Sequence, residues 1–469
     1  ALVNFNALSM RDRGLLQVSG DGDSPALSPY VQVDGKAVPV RNLSWELIEY
    51  WVPTGDFTAG DIQFTITWCA PPGSRAAFLN IKATNRGTAQ TSVVLGAKAS
   101  WGALDRVTYL PVALSGGRTI VPAPWVADGE TFAFVTGDTK FAWAFVHPGS
   151  QTTWNGPPAE HAPISDAHKT VTLAPGATAE ANFVIAPGVE EFSAAHNAKA
   201  LVELLDRQGA DTLIDETATW CRKRTRTTGQ PDLDLPMNRN FLFTALYAWG
   251  KTIDTEQLVG ATSRSPRYYV SAAYWDRDAM LWSFPGLLDI DNEMARDALE
   301  YALTIQLRNT GVHSRFIDGV VLEDGFQLDE AVAPIIALAS YVRKTKDVDF
   351  LGAHRKDLVF LRDRVLSRFD AATGLYSTLQ DSQDEYQKLP FNTYSNVLTW
   401  RALRDMADIF QRLNDPAGAR DLTDRAEALK KAILQVTVAT PLGAPGTIFA
   451  DATDGKNHLF LDVPPASLM

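Results

Sequence analysis

Cysteine is nearly absent from this chain: Cys69 and Cys221 are the only two in 469 residues. That excludes a disulfide scaffold and any CxxC redox or zinc motif; two single buried thiols in different elements are expected, with one bond between them as the alternative. Histidine is sparse as well. His147, His161, His168, His196, His313, His354 and His458 are scattered singly, with no i, i+4 pair to hold a metal on a helix. A metal-dependent mechanism is therefore disfavoured, and no cofactor is expected. There is no glycine-rich phosphate loop and no GxSxG elbow. No apolar run reaches the ~18 residues of a membrane span, so no membrane partner is expected. Positive charge is in deficit, with 43 Lys and Arg against 55 Asp and Glu and a formal net charge of −12, which argues against a nucleic-acid partner. The densest basic run, Arg222-Lys223-Arg224 with Arg226, reads as a solvated linker. The chain begins Ala-Leu-Val-Asn, which fits a processed or trimmed N-terminus and leaves localisation undecided.

What is present is a soluble globular composition, 45% hydrophobic and 21% charged, over a length that calls for two or more large domains. Residues 1–190 alternate with period two in segments such as Ile62 to Trp68 and Leu79 to Thr84. Turn pairs separate them, including Asp21-Gly22, Asp34-Gly35, Pro72-Gly73 and Asp128-Gly129. Many short strands at this spacing predict a large antiparallel β-sandwich. Val171 to Gly176 followed by Glu180 to Ile185 reads as its last hairpin. Residues 191–235 read as a helical linker, with helices near 193–205 and 211–223 and a polar break at 227–232. Residues 236–469 then turn helical. Amphipathic segments recur near 236–253, 276–288, 291–308, 327–345, 347–369, 393–414 and 416–435, with caps such as Asp291 and Asp347. A nonhelical tail follows from about 436.

Within that helical region stands Tyr274-Trp275-Asp276-Arg277-Asp278. An Arg-Asp pair beside aromatic rings suits a sugar: the carboxylate accepts from two neighbouring hydroxyls, the guanidinium donates, and an aromatic face covers the apolar side of the pyranose. Taken alone, the same residues fit an ordinary ion pair next to core aromatics. Two long connections, 308–319 and 374–391, carry more Gly, Asp, aromatic and Arg residues than plain turns need, so an active site is expected where they converge.

Three segments, in order, resemble the six-hairpin (α/α)6 toroid glycosidases, which include glucoamylases, trehalases, processing α-glucosidases and metal-independent α-mannosidases. Trp275-Asp276-Arg277-Asp278 is similar to the W-x-R-D sugar clamp of glucoamylases. Phe326-Gln327-Leu328-Asp329-Glu330 is similar to the Q-x-D segment that follows it. Gly374-Leu375-Tyr376, Asp381-Ser382-Gln383-Asp384-Glu385 and Phe391-Asn392-Thr393 resemble the later G-L, D-L-W-E-E and F-x-T runs. The resemblance implies a β-sandwich followed by an (α/α)6 toroid, acting on an oligosaccharide or glycoside. It places the general acid on Asp384, where the family has Glu, with Glu385 beside it. The sugar grip falls to Tyr274, Trp275, Arg277 and Asp278. Gln327 and Asp329 are expected to face the site. Arg315 reads either as a contact to a substrate hydroxyl or carboxylate, or as a structural salt bridge.

Glycoside hydrolysis needs a protonated acid and a second carboxylate, about 6.5–9.5 Å apart for inversion and about 5–5.5 Å for retention. Asp384, Glu385 and Asp381 form an acidic cluster that would raise the acid's pKa, and a solvated acidic loop before a helix capped by Asn392 or Thr393 is the plainer alternative. Glu330 reads as a cap-region carboxylate. A full toroid has twelve helices and this chain shows about seven. Either a further C-terminal segment or a second chain is expected to supply the general base. The expected activity is exo-acting, inverting hydrolysis of α-linked glucosides. An exo-α-mannosidase, a phosphorylase and a carbohydrate-binding protein without catalysis are the alternatives.

Overall fold

The computed structural model describes the chain except for residues 21–22, 41–42, 103, 109–110, 114–117, 123–125, 137–138, 156–163, 263, 265–271, 441–445, 457 and 462–469. The turn pair Asp21-Gly22 lies outside the described residues. The chain divides into two compact units, Ala1–Phe243 with Lys251–Glu256, and Thr244–Gly250 with Gln257–Met469.

The first unit is built on antiparallel sheets. The largest has eight strands in the order Arg118–Pro122, Gly129–Thr136, Thr139–Val146, Thr178–Gly188, Ala77–Asn85, Ile62–Cys69, Val52–Ala59 and Ser44–Ile48. A five-stranded sheet runs Gln151–Asn155, Ile164–Leu173, Thr91–Ser100, Leu27–Val33 and Lys36–Val38. The two share one core, in which Phe64, Ile66, Leu79 and Ile81 from the first meet Val93, Leu95 and Ala97 from the second. The eight-stranded sheet is apolar on its other face too. Along Thr139–Val146, Phe141, Trp143 and Phe145 enter the shared core, while Ala142, Ala144 and Val146 face helices α1 (Glu191–Gln208) and α2 (Ala210–Arg222). A strand covered on both sides must be apolar on both, which explains its unbroken hydrophobic run.

Three expectations change here. The segment 171–185 is not a hairpin: Ile164–Leu173 pairs with Thr91–Ser100, whereas Thr178–Gly188 pairs with Ala77–Asn85 in the other sheet. The chain crosses between layers because Phe183 and Ile185 on one side and Val184 and Ala186 on the other need an interior strand position. Asn85 holds this corner, its Nδ2 donating to the carbonyls of Leu173 at 3.0 Å and Ala89 at 2.7 Å. Helices α1 and α2, expected in a linker, pack on the sheet through Ala194, Ala198, Leu201, Leu205 and Leu213. The basic run closes α2 and does not form a free linker: Arg222 pairs with Glu49 at 2.7 Å, and Arg224 lies 3.6 Å over the Trp220 ring. Helix α3 (Pro231–Phe243) belongs to the same unit.

Both thiols are buried and unbridged. Cys69 ends its strand and donates to Thr217 Oγ1 at 3.3 Å, while Cys221 lies one turn further along α2. Burial pushes each up to about 11.

The second unit is mainly helical. A π-helical turn, Arg277–Ser283, leads into α4 (Phe284–Ile290) and α5 (Asn292–Leu303). A hairpin of Val312–Arg315 with Val321–Phe326 precedes α6 (Leu328–Thr345), and α7 (Val348–Ala353), α8 (Arg355–Leu366), α9 (Thr393–Arg412) and α10 (Pro416–Val436) follow. Asp291, Asp347 and Asn392 cap α5, α7 and α9, each accepting a backbone N–H of its first turn. From Leu328 to Val342, α6 is buried at all but two positions, so it is apolar all round and takes the middle of the unit. The segment expected as one helix over 347–369 breaks at His354, whose ring bridges Asp357 at 2.9 Å and Glu300 at 3.0 Å. The tail forms short strands, of which Ala452–Thr453 pairs with Phe391–Asn392 ahead of α9. Among the described residues no helix is long and apolar enough to cross a membrane.

Candidate active site

Three stretches that are distant in sequence meet at Arg277. The π-helical turn begins at this residue, and such widened turns are frequent at functional sites. Arg277 Nη1 donates to Asp329 Oδ2 at 3.0 Å and Gln327 Oε1 at 3.2 Å, and Nη2 donates to Asp384 Oδ1 at 2.7 Å. Gln327 is the N-cap residue of α6, yet its side chain makes no cap bond. It turns to the site, where Nε2 donates to Asp384 Oδ1 at 2.7 Å. Asp329 and Glu330 follow in the first turn of the same helix and are fully buried.

Arg315 anchors a second cluster behind the first. Nη2 pairs with Asp276 Oδ2 at 2.5 Å, Nη1 donates to the Gln306 carbonyl at 3.1 Å, and the guanidinium lies 5.0 Å from the Tyr274 ring. Arg315 is 0% exposed and forms a buried salt bridge with Asp276. Tyr274 is split in role, its hydroxyl donating to Asp276 Oδ1 at 3.0 Å while its ring borders a cavity. Glu330 stands between the clusters, 3.7 Å from Arg277 Nη1 and 3.8 Å from Arg315 Nη2. It is not a capping-box carboxylate, because neither of its oxygens has a hydrogen-bond partner.

The cavity, of ≈ 90 Å³, is walled by aromatic rings and one acid: Trp249, Tyr274, Trp275, Trp282 and Asp278. Gly260 lets two of the rings approach, since a Cβ there would stand 3.1 Å from Trp249 and 3.3 Å from Tyr274. Trp282 is largely exposed, with Arg277 5.6 Å from its ring.

Five carboxyl groups, Asp276, Asp278, Asp329, Glu330 and Asp384, serve two guanidiniums. Burial raises Asp276 and Asp329 above the usual carboxylate range and Glu330 far above it, against the pull of the arginines. Asp278 is pushed up to about 6 by burial, with Arg277 opposing. Burial also works against the charge on Arg277, but Glu330, Asp329 and Asp384 outweigh it and hold its pKa above the ordinary value.

Asp384 sits at φ +67°, a left-handed conformation that Asp tolerates better than most residues. Its carboxyl neighbours include Asp278 and Asp329 from other segments, whose pKa values it raises. Asp381 turns its carboxylate into its own loop, accepting from the backbone N–H of Gln383 at 2.8 Å and of Glu385 at 3.1 Å, and from Gln387 Nε2 at 2.7 Å. Glu385 is exposed. Asp384 Oδ1 instead faces the Arg277 guanidinium at 2.7 Å and His313 Nε2 at 3.7 Å. Each of these contacts meets Oδ1, so a proton on this carboxyl sits on Oδ2.

Gln327 and Asp329, expected to face the site, do lie against Arg277, whereas the inward turn of Asp276 and the place of His313 beside Asp384 were not anticipated. His313 stands two residues before Arg315 on the same hairpin strand, which is the signal that was available. Among the described residues no group of three or more His, Cys, Asp and Glu side chains is placed to hold a metal ion.

No protein-family profile matches the sequence, and no curated protein does. Solved structures do. A bacterial glucoamylase complexed with acarbose aligns over 96% of this chain and 68% of its own, at 14% identity and a TM-score of 0.56. The chain has a six-hairpin glycosidase fold over the part it spans. A human-microbiome protein provisionally described as a kojibiose phosphorylase aligns over 93% of this chain and 64% of its own, at 10% identity and a TM-score of 0.56. About a third of each of these six-hairpin proteins therefore has no counterpart here. A metal-independent α-mannosidase from Streptococcus pneumoniae, in a non-productive complex with α-1,6-mannobiose, reaches a TM-score of 0.42 over 56% of this chain at 13% identity, too loose a likeness to argue from.

Proposed function

We propose that this chain belongs to an exo-acting, inverting glycoside hydrolase that releases a terminal monosaccharide from α-linked glucosides. One observation carries the reading: Arg277 gathers Asp384, Gln327 and Asp329 from separate segments beside a cavity walled by aromatic rings. Trp275 and Trp282 supply the apolar faces that a pyranose stacks on. Asp278 and Arg277 grip the hydroxyls of the terminal ring. The buried Nε1 of Trp275, a residue of the cavity wall, has no protein partner, which suits a polyhydroxylated ligand. A pocket that holds several hydroxyls of one ring favours exo action, because a chain could not pass through it.

In this reading Asp384 is the general acid, with its proton on Oδ2, while Arg277 and Gln327 fix the carboxyl through Oδ1. Glu385, beside it, contributes charge at the rim. Gln327 and Asp329 hold Arg277, and Arg315 with Tyr274 holds Asp276 behind the cavity. The partner carboxylate that activates water comes from the C-terminal half in the resembled family, and no residue of this chain is assigned to it.

The test is proton NMR of the full-length gene product with α-glucosides, α-mannosides and trehalose, with and without inorganic phosphate, beside Asp384→Asn. A single β-anomeric monosaccharide from the wild type, lost in the variant, supports inverting hydrolysis and names the sugar. A phosphate requirement replaces hydrolysis with phosphorolysis. Saturable binding without turnover leaves a carbohydrate-binding protein.

A further inference from the structure

His313 lies outside the clamp motifs, but its ring is fixed more tightly than a solvated loop histidine. The neighbour that fixes it is Gln380. The Gln380 amide nitrogen lies 2.9 Å from His313 Nδ1 and 3.1 Å from the backbone carbonyl of Asp384. A carbonyl oxygen can only accept, so this amide end is the NH2 group, and its two hydrogens serve these two partners. His313 Nδ1 is then the acceptor, and the ring proton is on Nε2. Nε2 faces Asp384 Oδ1 at 3.7 Å and Glu323 Oε2 at 3.8 Å.

The hairpin beneath is shaped to allow this. Ser314 pairs with Glu323 across the strands, and its hydroxyl donates to Glu323 Oε2 at 3.0 Å, which holds that carboxylate beside the imidazole. Gly325 has φ +142°, and a Cβ there would stand 1.9 Å from Gln380 Oε1 and 3.3 Å from His313 Cβ. Glycine thus leaves the space that the Gln380 amide occupies. The His313 ring stands 6.1 Å from that of Trp275, which itself lines the cavity.

We propose that His313 is a positioning residue for Asp384: held by Gln380 as the Nε2–H tautomer, it presents a third donor to Oδ1 and leaves Oδ2 to exchange the proton with substrate. The contact at 3.7 Å shortens when a sugar fills the cavity, as catalytic hydrogen bonds commonly do. This inference rests on the role given to Asp384 above, and its test has one arm that needs no turnover.

In protein labelled with 15N-histidine, the His313 signals, assigned by their loss in His313→Asn, show a protonated Nε2 and a bare Nδ1. Asp384→Asn moves the Nε2 resonance. A protonated Nδ1, or an Nε2 signal indifferent to Asp384→Asn, overturns the proposal whether or not the protein hydrolyses anything. In the kinetic arm, His313→Gln keeps a donor near the Nε2 position, whereas His313→Asn keeps only the end that meets Gln380. The Asn variant loses at least ~10-fold in kcat with KM within about twofold, and the Gln variant recovers most of that loss. Equal losses in the two variants overturn the positioning role. If the wild type turns over no glycoside, the hydrolase reading falls, and the NMR arm alone decides the geometry.

Discussion

Arg277 and Arg315 lie in one unit, share Glu330 and face carboxylates at similar distances, yet their surroundings differ. The Arg315 cluster is sealed: its carboxylates are fully buried, and a backbone carbonyl and a tyrosine ring complete its surroundings. The Arg277 cluster opens outward, because Asp384 and Asp278 keep 37% and 27% of their side chains exposed. A pair closed on every side has nothing left to offer a ligand. What marks the site is therefore the open end of a charge network, not the ion pair itself.

The largest expected effect separates the two arginines. Arg315→Ala leaves Asp276 buried without its partner and costs about 3–5 kcal/mol of folding free energy, read as a lower denaturant midpoint. Arg277→Lys cannot span Asp329 and Asp384 as the planar fork does; it weakens saturable sugar binding by at least ~10-fold with a smaller stability loss. If Arg315→Ala unfolds at the wild-type midpoint and loses sugar binding instead, the comparison breaks.

The next effect concerns pH. Asp278 binds its proton more tightly folded, with a pKa of about 6, than at its ordinary 3.8. Its favourable contribution to stability is thus complete below about pH 4 and is lost as pH rises through about 6, by at most ~3 kcal/mol. Asp278→Asn flattens that part of the stability profile, measured by denaturant titration between pH 4 and 7. A profile unchanged by the substitution would show that solvent reaches Asp278 more freely than the comparison requires.

The smallest effect sharpens the boundary between the clusters. Burial pushes Glu330 far above the usual carboxylate range, toward its neutral form. A carboxyl that is neutral in the folded protein is replaced by Glu330→Gln with one of similar shape, and stability then changes by under ~1 kcal/mol at pH 7. A loss of several kcal/mol would make Glu330 a working anion shared by the two arginines.

The order of β-structure before helices was legible in the sequence because it rests on local periodicity, and the starts of α5, α7 and α9 were legible because capping is a contact within four residues. The convergence of 275–278, 327–329 and 384 was readable only through short motifs in a familiar order. Which way each side chain faces was not readable. Arg315 and Arg277 look alike in one dimension and are both buried; the exposure of their carboxylate partners is what distinguishes them. The corner near 174–177 looked like a hairpin because its turn chemistry is sound, while the choice of strand partner is made by both faces of Thr178–Gly188. His313 escaped notice because its role depends on Gln380, 67 residues away.

The two buried thiols give this protein an internal clock. With each pKa near 11, only about one thiol in ten thousand is ionised at pH 7, and the thiolate is the reactive form. An alkylating reagent must therefore wait for Cys69 and Cys221 to be uncovered. Both lie where α2 rests on the eight-stranded sheet, so the rate of labelling counts how often that helix lifts away.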